Sequence, residues 1–295
     1  LFPYTTLFRS WLTTLETYAF PMLGKRPVDQ IATADVLKVL SAIWLTKPET
    51  ARRLRQRVRT VLDWTRVAYG LSGGNPVDGV EKALPKQPER GKHFAAMPYG
   101  EVPAFLTGLR QRPASEISVL ALEFLILTAC RTNEVLLATW SEFDLAERTW
   151  TIPASRMKAG EAHAVPLPRR TIELLEQVKV VGQDEVLVFP SSKRGKPLSN
   201  MVFLMMLRRM KLEVTAHGFR SSFRDWAAEE TSFPNFVVEK ALAHTIDNKV
   251  EAAYRRGDLL KKRRELMEAW ASYCGGDSPQ HTETAKDGSV MRPIA

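Results

Sequence analysis

Residues 117–129 constrain this chain more than any other stretch: Ser118, Glu123 and Thr128 are the only polar residues in an otherwise apolar run. A helix with so little polar surface has no face to offer water and must lie inside a domain. The run falls short of the roughly 18 apolar residues that mark a membrane span, as does every other run in the chain. No basic segment followed by an apolar stretch opens the sequence, so neither secretion nor membrane insertion is expected. The chain has 295 residues, 44% of them hydrophobic and 25% charged, enough for two compact soluble domains with their own cores.

The first of these domains reads as helical. Residues 11–69 carry helical periodicity, with Thr33 placed to cap a helix over 34–45 and Lys47-Pro48-Glu49 opening the next. Within 50–69, Leu54, Val58, Val61 and Leu62 recur at helical spacing, while Arg52, Arg53, Arg55, Arg59 and Arg66 mostly lie off that stripe. A charged helical face is ordinarily just solvated, but five arginines without interleaved glutamates favour phosphate contacts. Such contacts position a protein on a duplex without reading its sequence. Residues 70–79 are rich in Gly, Ser, Asn and Pro, and 84–93 carry two prolines with alternating charge, the composition of a linker.

A larger domain follows. Helices are expected over 102–109 and 117–129, then extended runs at 140–145, 149–152 and 164–167, which form a small antiparallel sheet. Helical patterns return over 169–180, 200–210, 219–230, 235–243 and 258–272, with a short strand at 186–189. The expected fold class is therefore mainly α with a small antiparallel β-sheet. The expected boundaries are a helical domain over 11–83, a linker over 84–94, a second domain over 95–274 and a disordered tail over 275–295. The chain opens on Leu1 rather than Met, and residues 1–10 look like an in-frame translation of a sequencing-library adapter, so they are set aside from the fold expectation.

Charge narrows the choice of partner. The chain holds 42 Lys and Arg against 33 Asp and Glu, a net +9, and nucleic acid is the leading acidic partner for such an excess. Cys130 and Cys274 stand far apart and in no metal-like cluster, so neither a disulfide framework nor a zinc site is expected, and a reducing cytoplasm fits.

Four separated boxes carry polar chemistry. Arg131 directly follows the buried helix in the box 127–134, and taken alone it reads as a surface arginine paired with Glu134. Lys158 sits in the turn at 157–160, close to His163, where a lysine is ordinarily solvated. His217 and Arg220 are spaced to share one face of a helix that begins near Gly218, and a histidine there also suits a plain cap. His244 ends a helical stretch, and ten residues on comes Tyr254 followed by Arg255 and Arg256.

Singly, each box has an ordinary structural explanation. Their joint order, Arg131, Lys158, His217, Arg220, His244, Tyr254, resembles the active-site set of tyrosine recombinases, and nearest among them the integrases of prophages and genomic islands. The likeness extends to 139–144, 165–167 and 217–220 and covers nearly all of residues 11–273. Relatives often carry glycine at the positions of Ala129 and Asn133.

That resemblance implies a helical core DNA-binding domain followed by a tyrosine recombinase catalytic domain. The N-terminal domain with which such integrases bind arm-type sites would be missing. It implies a site-specific recombinase that cleaves and rejoins DNA through a 3′-phosphotyrosine at Tyr254 and so integrates or excises a mobile element. Arg131 and Arg220 would hold the phosphate, His217 would act as base, Lys158 as general acid, and His244 would assist. No metal or other cofactor is implied. The implied partners are double-stranded attachment-site DNA, other copies of the chain in a tetramer on synapsed DNA, and an excision factor, within a bacterial cytoplasm and on the nucleoid when bound. Two alternatives remain: a type IB topoisomerase-like nicking and resealing enzyme, and a catalytically idle DNA-binding remnant of a prophage integrase.

Overall fold

The computed structural model describes residues 6–87, 95–112, 116–157, 159–244 and 258–276, with backbone alone for 6–10. The expectation for the tail falls almost wholly on residues outside this set. The chain divides into two units, residues 1–92 and 93–295, each with its own hydrophobic core.

The first unit contains α1 (Thr6–Tyr18), α2 (Phe20–Leu23), α3 (Thr33–Ser41) and α4 (Pro48–Tyr69). Its first helix begins inside the stretch set aside as adapter-like. Pro48 suits the first turn of α4, where its missing N–H breaks no helical bond, and Glu49 complements the positive helix end. The helix stops at Gly70, whose φ of 61° is the left-handed conformation that glycine adopts without a Cβ clash. Ala51, Leu54, Arg57, Val58, Leu62 and Thr65 form its buried side. Val61, expected in that stripe, is 43% exposed.

The start of α3 differs from expectation. Thr33 is the first helical residue rather than the cap: Ala32 takes the N-cap position, and its N–H donates to the Asp35 carboxylate at 3.1 Å. After α4, Asn75 pins the returning chain. Its Nδ2 donates to Arg59 O at 3.1 Å and Asp63 Oδ1 at 2.6 Å, while its Oδ1 accepts from Val77 N–H at 2.9 Å.

The second unit is organised around the apolar helix. Helix α5 (Val102–Arg110) precedes α6 (Glu116–Thr128), in which every residue from Ile117 to Thr128 is buried. Its one charged buried residue is doubly paired: Glu123 accepts from Arg110 Nη2 at 2.8 Å and from Arg170 Nε at 2.9 Å. Leaving that carboxylate unpaired in the core would cost several kcal/mol, about 3–5 for a broken buried pair. A short α7 (Thr132–Leu136) leads into a sheet of order β1-β2-β3, formed by Phe143–Asp144, Thr149–Ile152 and His163–Pro166. All pairs are antiparallel, and Ile152 faces His163. Trp150 and Ile152 point into the core, and the Phe143 ring stacks on Trp150 with centroids 5.3 Å apart.

The strand expected at 186–189 is reduced to a single antiparallel bridge between Leu187 and Thr139. Asp184 explains the difference, because its Oδ1 takes the N–H groups of Val186 at 3.0 Å and Leu187 at 2.7 Å, which a longer ladder would need. The remaining helices are α8 (Arg169–Gly182), α9 (Val202–Arg209), α10 (Gly218–Glu230), α11 (Asn235–Ala241) and α12 (Leu260–Gly275). Trp270 of α12 lies fully buried among Phe223, Trp226 and Tyr273 and donates from Nε1 to Ile126 O of α6 at 2.9 Å.

Candidate active site

Three chain reversals bring the site together, and the first carries Arg131. Beyond α6, Ala129 adopts a left-handed φ of 50°, a conformation that costs an L-residue roughly 1–2 kcal/mol. Arg131 then takes the N-cap position of α7. Glu134 accepts both its backbone N–H at 2.7 Å and its Nη1 at 2.8 Å, so the arginine–glutamate pair expected from sequence does form. Here the pair fixes the guanidinium in place. Its Nη2 donates to Ala243 O at 3.2 Å, and the side chain stays one-quarter exposed.

The second reversal opens α10. Gly218 abuts the segment before α5 so closely that a Cβ would come 2.4 Å from Ala95 O and 2.9 Å from Ala96 Cα, both backbone atoms, so only glycine fits. His217 stands at the cap and is exposed, whereas Arg220, on the first turn, is buried. Arg220 Nη1 donates to Ala129 O, and Nη2 donates to Leu242 O at 2.6 Å and lies 3.2 Å from His244 Nε2. Its Nε has no hydrogen-bond partner among the described residues.

The third reversal is a Schellman motif at the end of α11. Ala243 is left-handed, with φ 49°; its N–H donates to Lys240 O at 3.1 Å, and the His244 N–H donates back to Glu239 O at 3.0 Å. This cap turns His244 toward Arg220, with His244 Nδ1 at 2.6 Å from Glu239 Oε2. Both left-handed alanines thus hand a carbonyl to a site arginine: Ala129 to Arg220, and Ala243 to Arg131.

Positive charge dominates the electrostatics. Burial first, then the charge of Arg131, pulls the Arg220 pKa below its ordinary value. The His217 pKa is lowered from 6.5, first by partial desolvation of a ring whose residue is otherwise exposed and then by Arg220, Arg131 and His244, so the neutral imidazole, able to accept a proton, is favoured. Cys130, buried between the two arginine segments, is pushed up to about 12 by burial and remains a thiol. Buried His163 is lowered to about 4, again mainly by burial and then by Arg263, and it hydrogen-bonds the backbone of Ala241 in α11.

Arg131, His217, Arg220 and His244 therefore converge from distant parts of the chain. Lys158 and Tyr254 lie outside the described residues, but their flanks are held. β2 and β3 pair up to Ile152 and His163, and buried Arg263 donates from Nε to Asp258 O at 2.9 Å and from Nη1 to Ala164 O at 2.6 Å, with Nη2 on the Asp258 carboxylate. Glu239, His163 and Arg263 were not singled out as site residues from sequence, since carboxylate and cation positions off any motif carry no signal until the fold brings them close. Among the described residues no group of three or more His, Cys, Asp and Glu could hold a metal ion.

The first unit's arginines are less open than a bare charged face. Arg52 and Arg53 lie 3.4 and 2.8 Å from Glu49, Arg55 pairs with Glu81, and Arg59 lies 3.6 Å from Asp63 and 2.7 Å from Asp78. Arg66 donates to the carbonyls of Leu71, Ser72 and Gly73.

Two guanidinium groups and two imidazoles thus lie close together, a set of donors chemically able to hold an anionic group. Residues 6–83 match the phage integrase central domain, and residues 97–259 match the phage integrase family. The chain belongs to the phage integrase family. It is 35% identical to Prophage integrase IntZ of Escherichia coli K12 over 88% of this chain and 64% of that protein, and 32% identical to the integrase of Enterobacteria phage P4 over 89% and 63%. This chain thus spans a little under two thirds of either relative. A lambda integrase dimer bound to a COC′ core site shares the fold, with a TM-score of 0.62 at 18% identity over 82% of this chain and 89% of that one. So does a lambda integrase tetramer bound to a Holliday junction, at 0.62 and 17% over 85% and 72%.

Among the described residues no helix is long and apolar enough to cross a membrane.

Proposed function

We propose that this chain is a tyrosine-type site-specific DNA recombinase that integrates or excises a mobile element by cutting and rejoining DNA. The observation that carries the reading is the convergence of Arg131, His217, Arg220 and His244 in a phage integrase family domain. A phosphodiester repels nucleophiles, so the reaction needs fixed positive charge that tightens on the phosphate as the pentacoordinate state forms. The forks of Arg131 and Arg220 supply it, and their anchoring in carbonyls removes the cost of reorganising them during reaction.

Tyr254 Oη attacks the scissile phosphorus, forming the Tyr–O–P bond as the P–O5′ bond breaks. The phenol, with an ordinary pKa near 10, gives its proton to the neutral His217. Lys158 protonates the departing 5′-oxygen. The 3′-phosphotyrosine keeps the phosphodiester's energy, so a 5′-hydroxyl from another strand can attack it and release Tyr254, with the proton transfers reversed. Strand exchange on this scheme takes place in a homotetramer on synapsed attachment sites in the bacterial cytoplasm, with an excision factor as accessory partner.

Covalent trapping on a nicked suicide duplex carrying the element's attachment junction tests this. A protease-sensitive protein–DNA adduct is expected with the chain and none with Tyr254→Phe. An adduct that persists in Tyr254→Phe, or DNA binding with no adduct from either protein, overturns the reading.

A further inference from the structure

Glu239 stands behind the site and touches none of the groups expected to meet DNA except His244. Its Oε2 is 2.6 Å from His244 Nδ1, and its Oε1 is 2.9 Å from Arg224 Nε, close enough for charge pairing though misaligned for a hydrogen bond. On the other edge of the same imidazole, His244 Nε2 lies 3.2 Å from Arg220 Nη2. These contacts determine where the ring proton sits. A carboxylate only accepts and a guanidinium only donates. Nδ1 must therefore carry the hydrogen given to Glu239, and Nε2 must offer its lone pair to Arg220. The opposite tautomer would leave Nδ1 with no hydrogen for the carboxylate and turn an N–H against a cation.

We propose that Glu239 is a positioning residue for the recombination reaction: it fixes the Nδ1–H tautomer of His244, so that Nε2 accepts from Arg220 and aims that guanidinium. The inference rests on the recombinase reading for its effect on catalysis, but its structural half stands independently. Arg224 makes the arrangement directional. It lies one helical turn beyond Arg220 on α10 and holds the Oε1 side of the carboxylate, leaving Oε2 for histidine. In Glu239→Gln the amide oxygen is drawn to Arg224, which can only donate. The amide NH2 then faces Nδ1, which must become an acceptor, and the ring is driven to the Nε2–H form that confronts Arg220. Glu239→Asp keeps a carboxylate on the same side and should preserve the original tautomer.

Two readouts on the full chain test this. In 15N-histidine-labelled protein, with the His244 resonances assigned by their loss in His244→Ala, nitrogen shifts and one-bond couplings should report Nδ1–H in the unaltered chain and in Glu239→Asp. Glu239→Gln should report Nε2–H. An unchanged tautomer in Glu239→Gln, or Nε2–H in the unaltered chain, overturns the proposal whatever the enzyme does. In single-turnover cleavage of the suicide duplex, Glu239→Gln should lower the rate by roughly 10–100-fold, by analogy with the carboxylate partners of metal-binding histidines. Its DNA affinity should be unchanged, and Glu239→Asp should restore most of the rate. Adding Glu239→Gln to His244→Ala should cost nothing more, whereas a merely structural glutamate would lower the rate again in that background and so overturn the proposal. If the unaltered chain forms no adduct, the recombinase reading fails while the tautomer measurement still decides the placement of Glu239.

Discussion

The carboxylate-paired arginines of α4 and the site arginines of the second unit are held in opposite ways. In the first, Arg53 and Arg59 on α4 reach exposed carboxylates on the same helix or the following loop and remain 65% and 45% exposed. Exposed pairs of this kind contribute about 0–1 kcal/mol and are screened by salt, so a competing anion can displace the carboxylate at little cost. In the second, Arg220 is buried and held by two backbone carbonyls, and Arg131 is locked by Glu134 and Ala243 O. Carbonyls cannot leave as a surface side chain can. The difference teaches where each kind of cation is useful: an exchangeable charge suits binding along a duplex, and an immobile one suits a transition state whose geometry must be waiting for it.

The largest expected effect is on chemistry. Arg131→Ala should reduce suicide-substrate cleavage by about 10²–10³, as loss of one preorganised oxyanion donor does, with DNA affinity within a few-fold of normal. Equal loss of binding and cleavage would break the contrast, because Arg131 would then be one more binding charge. A second effect is on stability and belongs to the buried polar set of the second unit. His163, at about 4 in the folded chain against an ordinary 6.5, is neutral when folded and protonated when unfolded between those pH values. The unfolded state then binds more protons, so stability is full above about pH 6.5 and falls as pH drops toward 4, by roughly 3 kcal/mol across the window. Urea denaturation at pH 7 and pH 5 should show the loss, and His163→Leu should flatten it. An unaltered slope in that variant would assign the pH dependence to other groups.

The smallest effect is the most diagnostic of exchangeability. Arg59→Gln should weaken DNA binding only a few-fold and reduce the slope of log affinity against log salt by about 0.9, the value for one neutralised phosphate. Cleavage at saturating DNA should stay as it was. An unchanged salt slope would mean that Asp63 and Asp78 keep Arg59 and that α4 does not exchange its partners.

Periodicity revealed α4 and an almost unbroken apolar run revealed α6, and the β2–β3 hairpin was legible from its turn and alternation. The short strand at 186–189 was not, since one side chain, Asp184, diverted its donors. Within the site, Arg131, His217, Arg220 and His244 could be read as an ordered set. Their geometry could not, because it depends on carbonyls made available by Ala129 and Ala243 in a conformation that alanine rarely adopts. Nor could the pairing of Arg55 with Glu81 and of Arg59 with Asp78, because both carboxylates lie beyond the helix and reach it only when Asn75 folds the chain back. Glu49 and Asp63, by contrast, stand at helical spacing from Arg52, Arg53 and Arg59 within α4 itself.

The bond from Trp270 to the Ile126 carbonyl has a consequence for biosynthesis. The central helix of the second unit leaves the ribosome long before α12, and one whole side of its burial waits for the last helix to arrive. A nascent or prematurely terminated chain can complete its first unit, yet it lacks the tryptophan that closes the second. Arg131, Arg220 and His244 would then have no settled scaffold. An unfinished molecule keeps its amino-terminal helices but lacks the Trp270 contact that ties the last helix to the central one.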